Sequence, residues 1–236
     1  MGKFSYVFYD LDGTLSKSAP GITRSVQYAL DSIGIHEPDL KKLEVFIGPP
    51  LFMSFKQFCG FDDEMSARMV DKYREYYDKK GVYETEMYDG MEGLLAKEKE
   101  AGQVLAICSS KPYPRVLEVL GHLGITSYFT KVIGAPQEEY NSPKGKTAEH
   151  KVTLLANALK QWHAELSETE KGLSMEEFKS RCIIVGDRKF DILAGKENGI
   201  ATAGVTFGYG TREELEQYGA GFVADNAGQL GEYLMA

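Results

Sequence analysis

The chain has 236 residues, 43% of them hydrophobic, with 27 Lys and Arg against 35 Asp and Glu and a formal net charge of −8. That apolar content suffices for a sizeable core without a disulfide or structural metal, and the length suits an α/β domain with a smaller domain attached. The acidic balance argues against a nucleic-acid polymer or an anionic membrane as partner, because polyphosphate surfaces are bound by an excess of Lys and Arg. It leaves room for a small anionic substrate, which needs only a local positive site.

Three cysteines, Cys59, Cys108 and Cys182, form no CxxC pair and read as free thiols in a reducing compartment. The N-terminal MGKFSYVFYD lacks the cationic flank and apolar stretch of a signal peptide. No run approaches the roughly 18 apolar residues of a membrane span. A cytoplasmic protein is expected, monomeric or a small homo-oligomer, with no membrane partner.

In chain order, the apolar run Phe4–Tyr9 predicts a first strand. From about residue 16 to 85 the patterns are helical and no strand is convincing. Ile22, Val26, Ala29, Leu30 and Ile33 recur at helical spacing and stop at Gly34. Phe46–Gly48 leads into Pro49–Pro50, a rigid turn. Asp63–Lys79 predicts a long helix with Met65, Met69, Val70, Tyr73 and Tyr76 on one side. Strand and helix then alternate. Val104–Cys108 is followed by the helix Tyr113–Leu123, and Lys131–Gly134 by the helix Lys151–Leu159. The polar stretch Glu165–Phe178 reads as a solvated loop or helix extension. Cys182–Val185, the helix Asp191–Asn198, and the strands Ala203–Phe207 and Phe222–Ala224 complete the series. The alternation predicts an α/β fold, a mostly parallel sheet with helices on both faces. Residues 1–15 and 87–236 would form this core, and residues 16–86 a helical insert that leaves near Ser16 and returns near Met87.

In an open α/β sheet, ligands bind beyond the carboxyl ends of the strands. The first strand runs into Asp10-Leu11-Asp12-Gly13-Thr14, the second into Ser109-Ser110-Lys111, and a later one into Gly186-Asp187-Arg188-Lys189-Phe190-Asp191. Singly these are ordinary: Asp-Gly makes turns and Ser caps helices. Together they bring several carboxylates to one edge, where they would repel. A divalent cation resolves that conflict, and a set of hard oxygen ligands suits Mg²⁺.

These residues carry a family resemblance. Asp10-Leu11-Asp12-Gly13-Thr14-Leu15 resembles the DxDGT(L) signature of the haloacid dehalogenase superfamily, Ser109 its second motif, Lys151 its third, and Gly186-Asp187 with Asp191 its GDxxxD motif. Phe46-Ile47-Gly48-Pro49-Pro50-Leu51 and Gly208-Tyr209-Gly210-Thr211-Arg212-Glu213-Glu214-Leu215 look like the phosphoglycolate phosphatase and 5′-nucleotidase-like branch. The resemblance implies a Rossmann-like core with an α-helical cap inserted after the first motif. It also implies a phosphatase acting on a small phosphate ester. Asp10 would be the nucleophile and form an aspartyl-phosphate. Asp12 would protonate the leaving alcohol and later deprotonate water. Ser109 and Lys151 would hold the phosphoryl oxygens. Gly13, Thr14, Ser110 and Lys111 would border the substrate, and Asp10, Asp12 (through its backbone carbonyl), Asp187 and Asp191 would hold Mg²⁺.

Lys144 and Lys146 also lie ahead of the helix, but the apolar helical pattern follows Lys151 directly, which favours Lys151. Gly145-Lys146-Thr147 is no P-loop, because Tyr140 stands where the first glycine belongs. Gly208-Tyr209-Gly210 fails as a dinucleotide fingerprint at Glu213, and Thr211 with Glu214 reads as a helix capping box. The four histidines show no HExxH pairing, and Trp162 reads as a packing residue. Gly48-Pro49-Pro50 suits either a cap–core interface or a plain turn between helices. Arg24 and Lys56 are candidate cap cations for a second anionic group. A sugar phosphomutase on the same scaffold is an alternative, and a phospho-acceptor signalling domain a more distant one.

Overall fold

A computed structural model describes residues 3–136, 149–166 and 172–236. Six parallel strands form one sheet in the order β3-β2-β1-β4-β5-β6. They are β1 (Tyr6–Tyr9), β2 (Val104–Pro112), β3 (Phe129–Ala135), β4 (Cys182–Gly186), β5 (Ala201–Val205) and β6 (Phe222–Ala224). Central β1 has no polar residue except its tyrosines and is buried throughout, as a parallel strand covered on both faces requires. Side chains alternate between two layers. Val7, Tyr9, Ile107 and Val185 face one core with Leu94, Leu120 and Leu230. Tyr6, Phe8, Ala106 and Ile184 face the other with Leu155, Leu159, Trp162 and Phe178. Trp162 packs as expected, edge-on to the Tyr6 and Phe8 rings with centroids 5.2 and 5.1 Å away.

The helices are α1 (Ala19–Asp31), α2 (Leu51–Cys59), α3 (Asp63–Tyr77), α4 (Met91–Glu100), α5 (Tyr113–His122), α6 (Glu149–Ala164), α7 (Met175–Ser180), α8 (Lys189–Asn198), α9 (Arg212–Gln217) and α10 (Ala227–Met235). The chain steps outward from β1 through β2 to β3, then returns to the other side of β1 for β4. This reversal places the topological switch beside β1, where connections diverge and a crevice opens.

Between β1 and β2 lie only α1 to α3, the 3-10 turns Leu40–Phe46 and Gly81–Tyr83, and α4. In α1, Ile22, Val26, Ala29 and Leu30 are buried against α3. The outgoing and returning linkers run side by side: Ser16 bridges to Met87, the Lys17 amide donates to the Glu86 carbonyl (2.7 Å), and the Tyr88 amide to the Leu15 carbonyl (3.0 Å).

Three details depart from the sequence reading. β2 continues past Cys108 to Pro112 with an irregular register, so Ser109–Lys111 sit on a bent strand end. β5 begins at Ala201 and ends at Val205, leaving Phe207 beyond it. Small Ala201 and polar Thr202 give little strand signal, and their pairing with β4 decides the matter. In the Glu165–Phe178 stretch, α7 begins at Met175 with a Ser174–Glu177 capping box; residues 167–171 lie outside the described residues.

Candidate active site

The site grows from the end of β1. Register pairs Tyr9 with Ile107 on one side and Val185 on the other, and the Asp10 amide donates to the Val185 carbonyl at 2.9 Å. Asp10 therefore emerges between the ends of β2 and β4, at the switch point. Asp187 follows β4 directly, and Asp191 projects from the first turn of α8. Carboxylate oxygens of Asp10, Asp187 and Asp191 all lie within 4.8 Å of one another. Two glycines permit this convergence. Gly13 has φ +84°, and a Cβ there would sit 2.2 Å from Asp187 Oδ2; a Cβ on Gly186 would sit 1.9 Å from Asp191 Cγ.

Lys151, in the first turn of α6, reaches into this cluster with only 3% of its side chain exposed. Its Nζ lies 2.9 Å from Asp10 Oδ1 and also pairs with Asp191 Oδ1. Burial works against the ammonium, but Asp10 and Asp191 outweigh it and hold Lys151 above its usual pKa. Burial lifts the Asp10 carboxyl to about 6; Lys151 opposes the rise and Asp191 adds to it. Asp187 is pushed well up by burial and by Asp191 and Asp10, although the Tyr209 amide donates to its Oδ2 at 2.7 Å. Its other oxygen, Oδ1, is buried with no hydrogen-bond partner among the described residues. Three clustered carboxylates thus share one ammonium, which pairs with Asp10 and Asp191 and leaves Asp187 Oδ1 without a hydrogen-bond partner among the described residues. This donor set fits a hard divalent cation.

Asp12 is half-buried, with Oδ2 2.7 Å from Lys111 Nζ; the Ser16 hydroxyl donates to its Oδ1 at 3.4 Å. Ser109 is buried at the end of β2, and its Oγ accepts from the Lys111 amide at 3.3 Å. Ser110 is half-buried beside it. Thr14 is fully buried, its hydroxyl unpartnered among the described residues. The structure thus brings Asp10, Lys151, Asp187 and Asp191 into one cluster, with Asp12, on the loop after Asp10, paired to Lys111 at the end of β2. Lys144 and Lys146 lie outside the described residues.

Four polar side chains at this edge escaped the sequence reading. Arg188 donates from Nε to Glu214 Oε1 (3.0 Å) and from Nη1 to the Ile47 carbonyl (2.9 Å). Gly48 lies beside Arg188 and Phe190, so the Gly48-Pro49-Pro50 turn meets the α/β core. Thr211 does cap α9 by accepting from the Glu214 amide at 3.2 Å. The Glu214 carboxylate, however, is drawn to Arg188 and to the Lys189 amide at 2.8 Å instead of closing the expected box. Tyr209 Oη accepts from the Ala19 amide at 2.8 Å, at the start of α1. Tyr77, the last residue of α3, accepts from Lys111 Nζ at 2.6 Å. The only sequence signals were the positions of Arg188 inside the GDxxxD run and of Tyr209 and Glu214 inside the Gly208–Leu215 run. Arg24 and Lys56 are taken up within the insert, by Glu84 (3.2 Å) and Asp63 (2.5 Å).

Acidic residues, a buried lysine and a hydroxyl thus gather at the switch point of a parallel α/β sheet, where such sheets bind their ligands. The chain belongs to the haloacid dehalogenase-like hydrolase family, which it matches over residues 7–205. It is 36% identical over 216 residues to a 5′-nucleotidase of Pseudomonas aeruginosa, covering 92% of this chain and 89% of that one. A phosphoglycolate phosphatase of Vibrio vulnificus is 29% identical over 234 residues, covering 95% and 93%. A protein named tyrosine-protein kinase PtkA, of Mycobacterium tuberculosis, is 32% identical over 211 residues, covering 89% of this chain and 65% of that one. Among solved structures, a predicted phosphatase from Clostridium acetobutylicum superposes with a TM-score of 0.82 at 33% identity, covering 97% of each chain. Within the family, the chain is a phosphatase. No helix among the described residues is long and apolar enough to cross a membrane.

Proposed function

We propose that the protein is a Mg²⁺-dependent phosphomonoesterase that acts on a small phosphorylated metabolite through an aspartyl-phosphate on Asp10. Phosphoglycolate and nucleoside 5′-monophosphates are the leading substrates. The observation that carries this reading is the buried Asp10 carboxylate, with Lys151 Nζ at 2.9 Å and Asp187 and Asp191 beside it.

In the first half-reaction an Asp10 oxygen attacks phosphorus and the bond to the leaving alcohol breaks, while Asp12 gives that alcohol a proton. In the second, Asp12 takes a proton from water as the water oxygen attacks phosphorus. Phosphate leaves and the Asp10 carboxylate is restored. Ser109 and Lys151 hold phosphoryl oxygens as charge builds on them. Asp10, Asp187, Asp191 and the Asp12 carbonyl would hold Mg²⁺, which supplies neutralisation of charge between nucleophile and phosphate. The helical insert, residues 16–86, serves as a cap that keeps bulk water from the phosphoryl group.

The similarity to a protein named a tyrosine kinase favours one second reading, in which the phosphoryl group on Asp10 passes to an acceptor hydroxyl instead of water. Phosphate release from a panel of esters, with Mg²⁺ or EDTA and with Asp10→Asn, tests both. The hydrolase reading expects release that EDTA and Asp10→Asn each abolish. Transfer to an acceptor without phosphate release would favour the second.

A further inference from the structure

Lys111 is the meeting point of the α/β core and the helical insert at the acid/base carboxylate. Its side chain is 7% exposed, and its Nζ lies 2.7 Å from Asp12 Oδ2 while donating to Tyr77 Oη at 2.6 Å. Its amide donates to Ser109 Oγ at 3.3 Å. Asp12 and Ser109 belong to the core, whereas Tyr77 ends the insert helix α3. Tyr77 is itself buried, and its ring stacks on Tyr73 one turn earlier, with centroids 5.2 Å apart and planes 17° from parallel. The hydroxyl is therefore presented by a packed helix end and not by a loose loop.

A lysine ammonium is a point charge on a flexible stem, and one ion pair leaves it many geometries. A second acceptor of fixed position removes that freedom. With Tyr77 Oη on one side and Asp12 Oδ2 on the other, Lys111 is pinned, and Asp12 is pinned with it. Proton transfer to a leaving oxygen demands hydrogen-bond reach and alignment, and small misplacements are costly. We propose that Tyr77 is a positioning residue: docking of the insert seats its hydroxyl on Lys111, which orients Asp12 for proton transfer to the leaving group. This rests on the phosphatase reading and deepens it. It assigns the insert a direct part in acid catalysis, in addition to covering the site, and it makes poor leaving groups depend on the insert more than good ones.

The test compares kcat/KM for two esters, because that ratio reports the steps up to loss of the leaving group. One ester is p-nitrophenyl phosphate, whose leaving group departs with little help from an acid. The other is the fastest alkyl phosphate found on the substrate panel. In Tyr77→Phe, which keeps the ring and removes only the hydroxyl, kcat/KM for the alkyl ester should fall about tenfold or more, and that for the aryl ester less than about threefold. Lys111→Met should show the same leaving-group pattern, and Asp12→Asn a steeper one. An equal fall on both esters, or no fall on either, in folded Tyr77→Phe and Lys111→Met would overturn the proposal. If Asp10→Asn retains the wild-type rate on both esters, the phosphatase reading itself fails and this proposal goes with it. An Asp10-dependent wild type with a uniform Tyr77→Phe defect overturns the positioning role alone.

Discussion

Arg188 reaches from the loop after β4 to the backbone carbonyl of Ile47, 141 residues earlier in the chain, at 2.9 Å. The same guanidinium is held from behind by Glu214, whose carboxyl is kept below its ordinary pKa against the opposing effect of burial by the Lys189 amide and by Arg188. One planar fork thus ties the loop after β4 to the turn that opens α2. A lysine lacks the planar fork that holds separate donors towards the two partners at once.

The contact should be measurable in stability. Hydrogen bonds to a partly buried charged group are worth roughly 1.5–3 kcal/mol, and the partial exposure of this pair lowers that figure. Arg188→Lys is expected to cost about 1 kcal/mol by denaturant unfolding. A double-mutant cycle with Glu214→Gln should show clear coupling. Hydrogen exchange at residues 46–52 should quicken in the variant; unchanged exchange there would deny the contact any role in holding the turn.

Lys151 pairs with the Asp10 and Asp191 carboxylates and should reveal itself twice. Lys151→Met removes the cation proposed to stabilise phosphoryl oxygens, so kcat/KM should fall by about 100-fold or more. It also leaves Asp10 and Asp191 without their buried partner, a loss of about 3–5 kcal/mol in breaking a buried pair. Added Mg²⁺ should return much of that stability, since a divalent cation meets the same carboxylates. Thermal unfolding with and without Mg²⁺ checks this, and a variant whose melting temperature ignores Mg²⁺ would count against the assigned cluster.

Metal binding can also be read without activity. Mg²⁺ bound only by the native state raises its melting temperature by mass action. The wild type should show a concentration-dependent rise. Asp187→Asn, which replaces a buried carboxylate of the cluster by a neutral amide, should flatten it. An undiminished rise in the variant would place the cation elsewhere.

One residue before Asp10, Tyr9 Oη donates to both oxygens of Glu98, at 2.9 and 2.8 Å, in the buried core. Burial lifts the Glu98 carboxyl from 4.5 to about 8, with the Tyr9 hydroxyl opposing the rise. The folded state therefore keeps a proton that the unfolded chain has already lost. This contribution to stability is complete below pH 4.5 and drains away as the pH rises towards 8. Glu98→Gln retains an acceptor for Tyr9 and has no proton to lose. It should match the wild type near pH 5 and exceed it above pH 8, by up to about 4 kcal/mol. Parallel pH–stability curves for the two proteins would contradict this.

The gathering of acidic residues was legible in the sequence because residues that follow parallel strands end up at one edge of the sheet. Asp10, Asp12, Ser109 and the Gly186–Asp191 run needed only a parallel sheet to bring them together, and the strand pattern supplied one. Residues that join the insert to the core were not legible. The Ile47 acceptor is a backbone carbonyl and has no residue signature. Tyr73, Tyr76 and Tyr77 all satisfy helical spacing. The sequence reading put Tyr76 on the packed side, yet packing buries Tyr77 and leaves Tyr76 half-buried. Glu214 suited a capping box by spacing, and only the folded chain puts Arg188 and the Lys189 amide in competition for it. Arg24 and Lys56 were plausible as substrate cations only while their carboxylate partners in the insert were unknown.

The proposed covalent use of Asp10 is open to direct test. Rapid acid quench during turnover of a phosphate ester, followed by borohydride reduction of any acyl phosphate and peptide mass spectrometry, examines it directly. Reduction is expected at Asp10, dependent on substrate and absent from Asp10→Asn. Turnover with no reducible adduct, or an adduct on another residue, would contradict it.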